Sequence, residues 1–297
     1  NYPIGITIQN NRYPSYKWIK HSVGNKQSLI NDQVNSIIED SEGDLWYGTN
    51  NGISLQDSKT GKWRSFLSTF ENVQNSKNHI FTTLCEVSPG IIWAGGYFSG
   101  LYQIDKRTSK TTYFTPASYA HESIRPDKYI RDIRKDSRGY VWSGGYYNLK
   151  RINVQTKDIR LYHGLHSVTA IIEKDDKSMW IGTATGLFLL DIESGKYERI
   201  QLPVESTYVY SLYQTKQGSL YIGTSGSGVL IYDPQTKLFT HYYTGNCAMI
   251  SNNIYTILSD EDNEILLSTE NGLTSFYPKQ KTFYNWTKEM GLMTTHF

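Results

Sequence analysis

Two pairs of adjacent aromatics and the cations near them are the side chains in this chain best suited to binding chemistry. Tyr97-Phe98 and Tyr146-Tyr147 each follow a Gly-Gly dipeptide, Gly95-Gly96 and Gly144-Gly145, at the same spacing. An aromatic ring with a polar tip can stack on a sugar and hydrogen-bond to it at once. Between the two pairs runs the segment TPASYAHESIRPDKY (115–129), which supplies Tyr119, His121, Arg125 and Lys128, and Arg131 follows it. A guanidinium in that place could pair with the carboxylate or sulfate of an acidic sugar. The plain alternatives are ordinary loop packing for the rings and a solvated loop face for the cations. The candidate ligand-binding set is therefore Tyr97, Phe98, Tyr146, Tyr147, Tyr119, His121, Arg125 and Arg131.

Other chemistry finds less support. Glu122, Asp127 and Asp132 lie near the same segment without a partnering base. His163 and His166 have an HxxH spacing, but no further Cys, His or carboxylate cluster completes a zinc site. The run Gly223-Thr-Ser-Gly-Ser-Gly228 joins two expected strands and precedes no helix, so it lacks the mechanics of a phosphate loop. Asn285-Trp-Thr is a glycosylation sequon placed inside an expected strand. No nucleophile elbow or H-E-x-x-H stretch appears. The reading carries no catalytic residue, no metal and no cofactor. A net charge of +2 over 297 residues, with 20% charged side chains, gives no basic stripe for nucleic acid. No run of about 18 apolar residues exists to span a membrane, and no leader peptide is visible. Of the two cysteines, Cys85 takes a strand position that other copies of a repeat fill with Ile38, Ile172 and Leu258, which suits a buried apolar thiol.

That repeat is what must position the candidates. A thirteen-residue block recurs six times without insertion, at 34–46, 81–93, 130–142, 168–180, 209–221 and 254–266. Each block opens on an apolar residue, has another three positions on, turns at a glycine or its substitute, and closes on a bulky residue. Two strands around a polar turn explain the block. Glycines two places after the close (Gly48, Gly95, Gly144, Gly182, Gly223) call for close backbone approach or positive φ. A third strand starts at Gly52, Gly100, Asn148, Gly186, Gly228 and Gly272, and a fourth eleven residues later, at Trp63, Thr111, Ile159, Tyr197, Phe239 and Phe283. Four antiparallel strands per period of about 40–50 residues make a propeller blade. The closing Trp46, Trp93, Trp142 and Trp180 then read as packing between blades rather than as sugar platforms.

The ends set the expected count. Gly5 to Asn10, with Tyr16 and Ile19 beyond, fits an outer hairpin, and 292–297 fits the approach to a new first strand. The expectation is an all-β, seven-bladed propeller over 1–297. Residues 1–21 form the outer half of one incomplete blade, and full blades occupy 34–67, 81–115, 130–163, 168–201, 209–243 and 254–287. On this reading the chain is excised from a longer polypeptide.

The blocks resemble the two-component regulator propeller repeat, a V-x-x-I-x-x-D-x-x-G-x-L-W-I-G-T-x-x-G-L stretch. The best copies are VNSIIEDSEGDLWYGTNNGI (34–53) and VTAIIEKDDKSMWIGTATGL (168–187). The resemblance implies the periplasmic sensor region of a hybrid two-component regulator of the Bacteroides type. It implies an oligosaccharide ligand, an adjacent propeller and a β-sandwich in the same protein, and a homodimer of the full sensor. The turn aspartates Asp40, Asp136 and Asp260 are also similar to the Asp-box of sialidases, itself a structural hairpin. The open alternatives are a propeller-fold polysaccharide lyase or glycosidase, for which the carboxylates near 122–132 would matter, and a pure interaction module.

Overall fold

The computed structural model describes residues 19–68, 79–114, 128–260, 264–288 and 292. Among them, twenty-four strands form six four-stranded sheets, each a simple antiparallel meander. Blade 1 holds β1 (Val34–Glu39), β2 (Leu45–Thr49), β3 (Gly52–Gln56) and β4 (Trp63–Phe66). Blade 2 holds β5 (Ile80–Ser88), β6 (Ile91–Tyr97), β7 (Gly100–Asp105) and β8 (Thr111–Tyr113). Blade 3 holds β9 (Ile130–Lys135), β10 (Tyr140–Gly145), β11 (Leu149–Asn153) and β12 (Ile159–Tyr162). Blade 4 holds β13 (Val168–Asp175), β14 (Ser178–Thr183), β15 (Gly186–Asp191) and β16 (Tyr197–Ile200). Blade 5 holds β17 (Val209–Gln214), β18 (Leu220–Thr224), β19 (Val229–Asp233) and β20 (Leu238–Tyr242). Blade 6 holds β21 (Ile254–Ser259), β22 (Ile265–Thr269), β23 (Gly272–Tyr277) and β24 (Thr282–Trp286).

The blade count corrects the sequence-based expectation. Six blades are present among the described residues, all with four strands, rather than seven with one incomplete. The hairpin expected at 1–21 lies outside the described residues up to residue 18. Past that point, His21 makes one parallel bridge to Leu29 and no antiparallel strand. A glycine and a few alternating apolar residues give strand propensity but do not say which neighbour a strand joins.

Packing follows from the failure of one sheet to bury both its faces. Five apolar clusters each join two consecutive blades. Trp46 and Phe66 of blade 1 share a cluster with Phe81, Ile92 and Ile104 of blade 2, and Trp142 and Tyr162 of blade 3 share one with Val168 and Met179 of blade 4. The closing tryptophans are fully buried, as the packing reading expected. Their indoles also explain the turn aspartates. Asp40 Oδ1 accepts from the backbone N–H of Glu42 and Asp44, both at 3.0 Å, while Oδ2 accepts from Trp46 Nε1 at 2.8 Å. Asp136 repeats the scheme with Arg138, Tyr140 and Trp142 Nε1, at 3.1, 2.9 and 2.9 Å. These carboxylates hold turns.

Blade interfaces also decide the glycines two places past each block. A Cβ on Gly144 would stand 2.4 Å from Val168 Cγ1, and one on Gly95 2.5 Å from Ile130 Cγ2. Both are the opening residues of the next blade. Close approach is the requirement here, since neither glycine has a positive φ.

A β-bulge falls at the second residue of every thirteen-residue block, within the first strand of each blade. Pairing of the first and second strands shifts around Asn35, Thr82, Arg131, Thr169, Tyr210 and Tyr255. An extra residue in one strand is left out of the ladder and its side chain is re-aimed. It also reconciles the spacing of the block. Apolar residues three apart, such as Ile130 and Ile133, would fall on opposite faces of a regular strand, yet both are buried here.

Candidate functional site

Four of the bulged residues, Thr82, Arg131, Thr169 and Tyr210, and the loops beside them line a cavity of about 910 Å³ on one face of blades 2 to 5. Tyr97, Tyr146, Tyr147 and Arg131, four of the candidates, all line it, together with Tyr129, Tyr208 and Tyr210. Phe98 stands at its edge, in contact with Tyr97 and Tyr129 at centroid distances of 4.8 and 4.3 Å. Tyr119, His121 and Arg125 lie outside the described residues.

Backbone hydrogen bonds set the rings in place. The connections between second and third strands interlock with the segments that enter the next blade. Tyr97 and Tyr129 form an antiparallel bridge. The Tyr146 N–H donates to Tyr129 O at 3.3 Å, Ser167 N–H to Tyr146 O at 3.0 Å, and Ala184 N–H to Ser167 O at 3.0 Å. His166 Nδ1 pairs with the Tyr147 carbonyl, so half of the HxxH spacing serves to hold an aromatic loop. The result is a continuous run of five rings, Phe98, Tyr97, Tyr129, Tyr146 and Tyr147, packed mostly edge to face. Edge-on packing leaves ring faces open, and the four rings of the two pairs are 44–59% exposed. Desolvation among these rings, with Tyr97 beside it, pushes the Tyr129 phenol above the usual tyrosine range. It is therefore a neutral donor and acceptor around pH 7.

A second aromatic arc faces the first. Tyr208 lies 4.8 Å from Tyr210, which lies 5.1 Å from Tyr255 of blade 6. Arg131 joins the arcs, its Nη1 donating to Tyr208 Oη at 2.9 Å. That reach departs from what the same position does elsewhere. Thr82 Oγ1 donates to Ile130 O at 2.7 Å, Thr169 Oγ1 to Val209 O at 2.5 Å, and Asn35 Nδ2 to Phe81 O at 3.1 Å. Each of these stitches a blade to its neighbour. Arg131 instead passes over blade 4 to the residue preceding blade 5.

Tyr129, Tyr208 and Tyr210 were missing from the sequence-based set. Tyr208 and Tyr210 are two apart across the entry to a first strand, and Tyr210 holds the same register position as Arg131. That equivalence was the available signal. Asp132, a carboxylate the enzyme reading would need, accepts from Ile171 N at 2.7 Å and pairs with Arg134 at 3.2 Å, so it ties blade 3 to blade 4. Among the described residues no group of three or more His, Cys, Asp or Glu could hold a metal ion. Cys85 and Cys247 are free thiols, and burial pushes both above the usual range.

Comparison with known proteins bears out the resemblance. The two-component regulator propeller family matches residues 28–51 and 203–226, which contain the first and fifth blocks; the resemblance had been carried on the first and fourth. A histidine kinase of Formosa agariphila is 25% identical over 286 residues, covering 89% of this chain and 20% of that protein. The extracellular domain of a putative hybrid two component system from B. thetaiotaomicron superposes with a TM-score of 0.74 at 19% identity. That match covers 94% of this chain and 38% of the other. A catalytically inactive virginiamycin B lyase from Staphylococcus aureus, solved with quinupristin, gives 0.71 at 15% identity, covering 90% of this chain and 88% of that one. The chain thus spans a fifth of the kinase's length, and the structural likenesses are likenesses of fold. Among the described residues no helix is long and apolar enough to cross a membrane.

Proposed function

We propose that this chain, which carries two-component regulator propeller repeats, is the periplasmic ligand-sensing propeller of a hybrid two-component regulator, and that its ligand is a glycan-derived oligosaccharide. One observation carries the reading. Four packed rings, Tyr97, Tyr129, Tyr146 and Tyr147, line a cavity large enough for several sugar units, with Phe98 at its edge. Stacking rings, phenolic hydroxyls and exposed backbone are what a pyranoside needs, and concave apolar surfaces with a few polar groups are the usual form of a small-ligand site. The likeness to an extracellular sensor domain and to a histidine kinase supports the signalling context. In that context an adjacent propeller, a β-sandwich and a second copy of the sensor are its partners, and the kinase lies outside this chain.

Sensing requires that the ligand favour one signalling state over the other. A cavity drawn from four blades offers a way, because a ligand that touches several blades binds best at one spacing between them. Isothermal titration of the protein against a panel of glycan fragments tests the reading. Saturable binding that is lost in Tyr97→Ala and Tyr147→Ala is the expected outcome. Affinity unchanged in both variants would remove the ligand from this face. Hydrolysis or elimination products without stable binding would favour the enzyme alternative.

A further inference from the structure

We infer that the cavity selects an anionic oligosaccharide, one with a carboxylate or sulfate on the ring, held by Arg131 and Tyr208 acting as a single clamp. The inference deepens the glycan-sensor reading and rests on it.

The charge pattern of the cavity is the first argument. Among the described residues its lining holds Arg131 and no Asp or Glu. Arg131 is exposed, and among the described residues its guanidinium pairs with no carboxylate. Cations on protein surfaces are ordinarily solvated, but this one is held in the lining of a ring-rich cavity by a bulge that every blade shares.

Hydrogen-bond valence is the second argument. A guanidinium has five N–H donors in a planar fork, and Tyr208 takes one of them, from Nη1. The rest of the fork keeps the geometry for a bidentate oxyanion. Tyr208 accepts from Arg131, so its own phenolic proton is left to donate. A carboxylate or sulfate placed against the pair would receive bonds from both groups without breaking the one between them. The bond to Tyr208 also fixes a long side chain in advance, which lowers the entropy cost of binding.

Position is the third. Arg131 stands between the arc of Phe98 to Tyr147 and the arc of Tyr208 to Tyr255. A sugar stacked on either arc carries its acidic substituent toward the clamp. The residues at the same bulge in the neighbouring blades, Thr82 and Thr169, spend their hydroxyl protons on backbone carbonyls, and among the described lining residues Arg131 is the only cation.

The test is titration of the intact protein with four oligosaccharides of equal length: oligogalacturonate, its methyl ester, a neutral galacto-oligosaccharide and a sulfated one. At low salt the acid or the sulfated sugar is expected to bind about tenfold or more tightly than the neutral forms. The advantage should shrink as salt rises, and the two charged arms tell carboxylate from sulfate. Arg131→Met and Tyr208→Phe should each reduce that preference, lowering affinity for the charged sugars by more than for the neutral ones, and Arg131→Lys should restore part of it. Equal binding of acid, sulfate and ester overturns the clamp and leaves the glycan reading standing. A preference that survives in Arg131→Met also overturns it. Failure of all four to bind counts against both readings.

Discussion

At the scale of single residues, two side chains depart from what their positions usually hold. Phe98 has φ +58°, a left-handed conformation that a bulky residue adopts at a cost of about 1–2 kcal/mol. Backbone strain of this kind collects at functional sites, and here it presents a ring to the edge of the cavity. Phe98→Gly relieves the strain but gives up contacts with Tyr97 and Tyr129, each worth about 0.5–1.5 kcal/mol. The thermal midpoint is therefore expected to move little, while affinity for the glycan falls, as calorimetry on the same samples would show. Lys106 is the second. Its side chain is 8% exposed, and its Nζ lies 2.6 Å from Asp40, 2.6 Å from Glu42 and 2.8 Å from Asp44. Blade 4 fills the equivalent place with buried Ile192, which shows that the position is a peg into the preceding blade. Burial alone would raise the carboxyls of Asp40 and Asp44. Lys106, with Trp46 on Asp40 and Ser58 on Asp44, holds both below the usual range. Their contribution to stability is present above about pH 4, the unfolded value, and is lost as pH falls through the depressed folded values. Lys106→Met strands the two carboxylates and should cost about 3–5 kcal/mol near neutrality. In the variant burial raises those carboxyls, so acid protonation relieves them. The gap in melting temperature between parent and variant should narrow from pH 7 to pH 3, and a constant gap would refute the staple. None of this was legible beforehand, since a lysine after a strand reads as solvated until its neighbours in another blade are known.

Elements were more legible than side-chain roles. All six blocks became paired strands, and the third and fourth strands begin at or next to the residues expected, because glycine spacing and alternating apolar residues encode turns and faces directly. What escaped was the bulge. Apolar residues at the first and fourth places of each block cannot share one face of a regular strand, and that contradiction held the information. Reading it would have singled out the second place in every blade, and so Tyr210 beside Arg131. The glycines behind the blocks were open between two explanations, and the packing chooses the steric one. Gly144→Ala is expected to destabilise by about 1–3 kcal/mol, since its Cβ would overlap the side chain of Val168. Denaturant unfolding should show a lower midpoint. An unchanged midpoint would mean that blades 3 and 4 separate freely.

Over the whole molecule, the class of fold was readable and the number of blades was not. A repeat reports its own unit reliably, whereas the count depended on a partial pattern near Gly5 that lies outside the described residues. Five cores shared between six consecutive blades mean that neighbours, not blades, are the units of stability. A ligand that touches blades 2 to 5 therefore restrains several of these units together. At a hundred times its dissociation constant it should stabilise the fold by about 2.7 kcal/mol, seen as a concentration-dependent rise in melting temperature. The bulge repeated in every blade has one more consequence. Freed from the ladder, its residue is an independent letter, and around the mouth the letters run Asn35, Thr82, Arg131, Thr169, Tyr210 and Tyr255. Where such a letter also stitches two blades, as Asn35, Thr82 and Thr169 do, respelling it costs an inter-blade bond. Arg131 and the tyrosines make no such backbone stitch and are the letters freest to change for a new ligand.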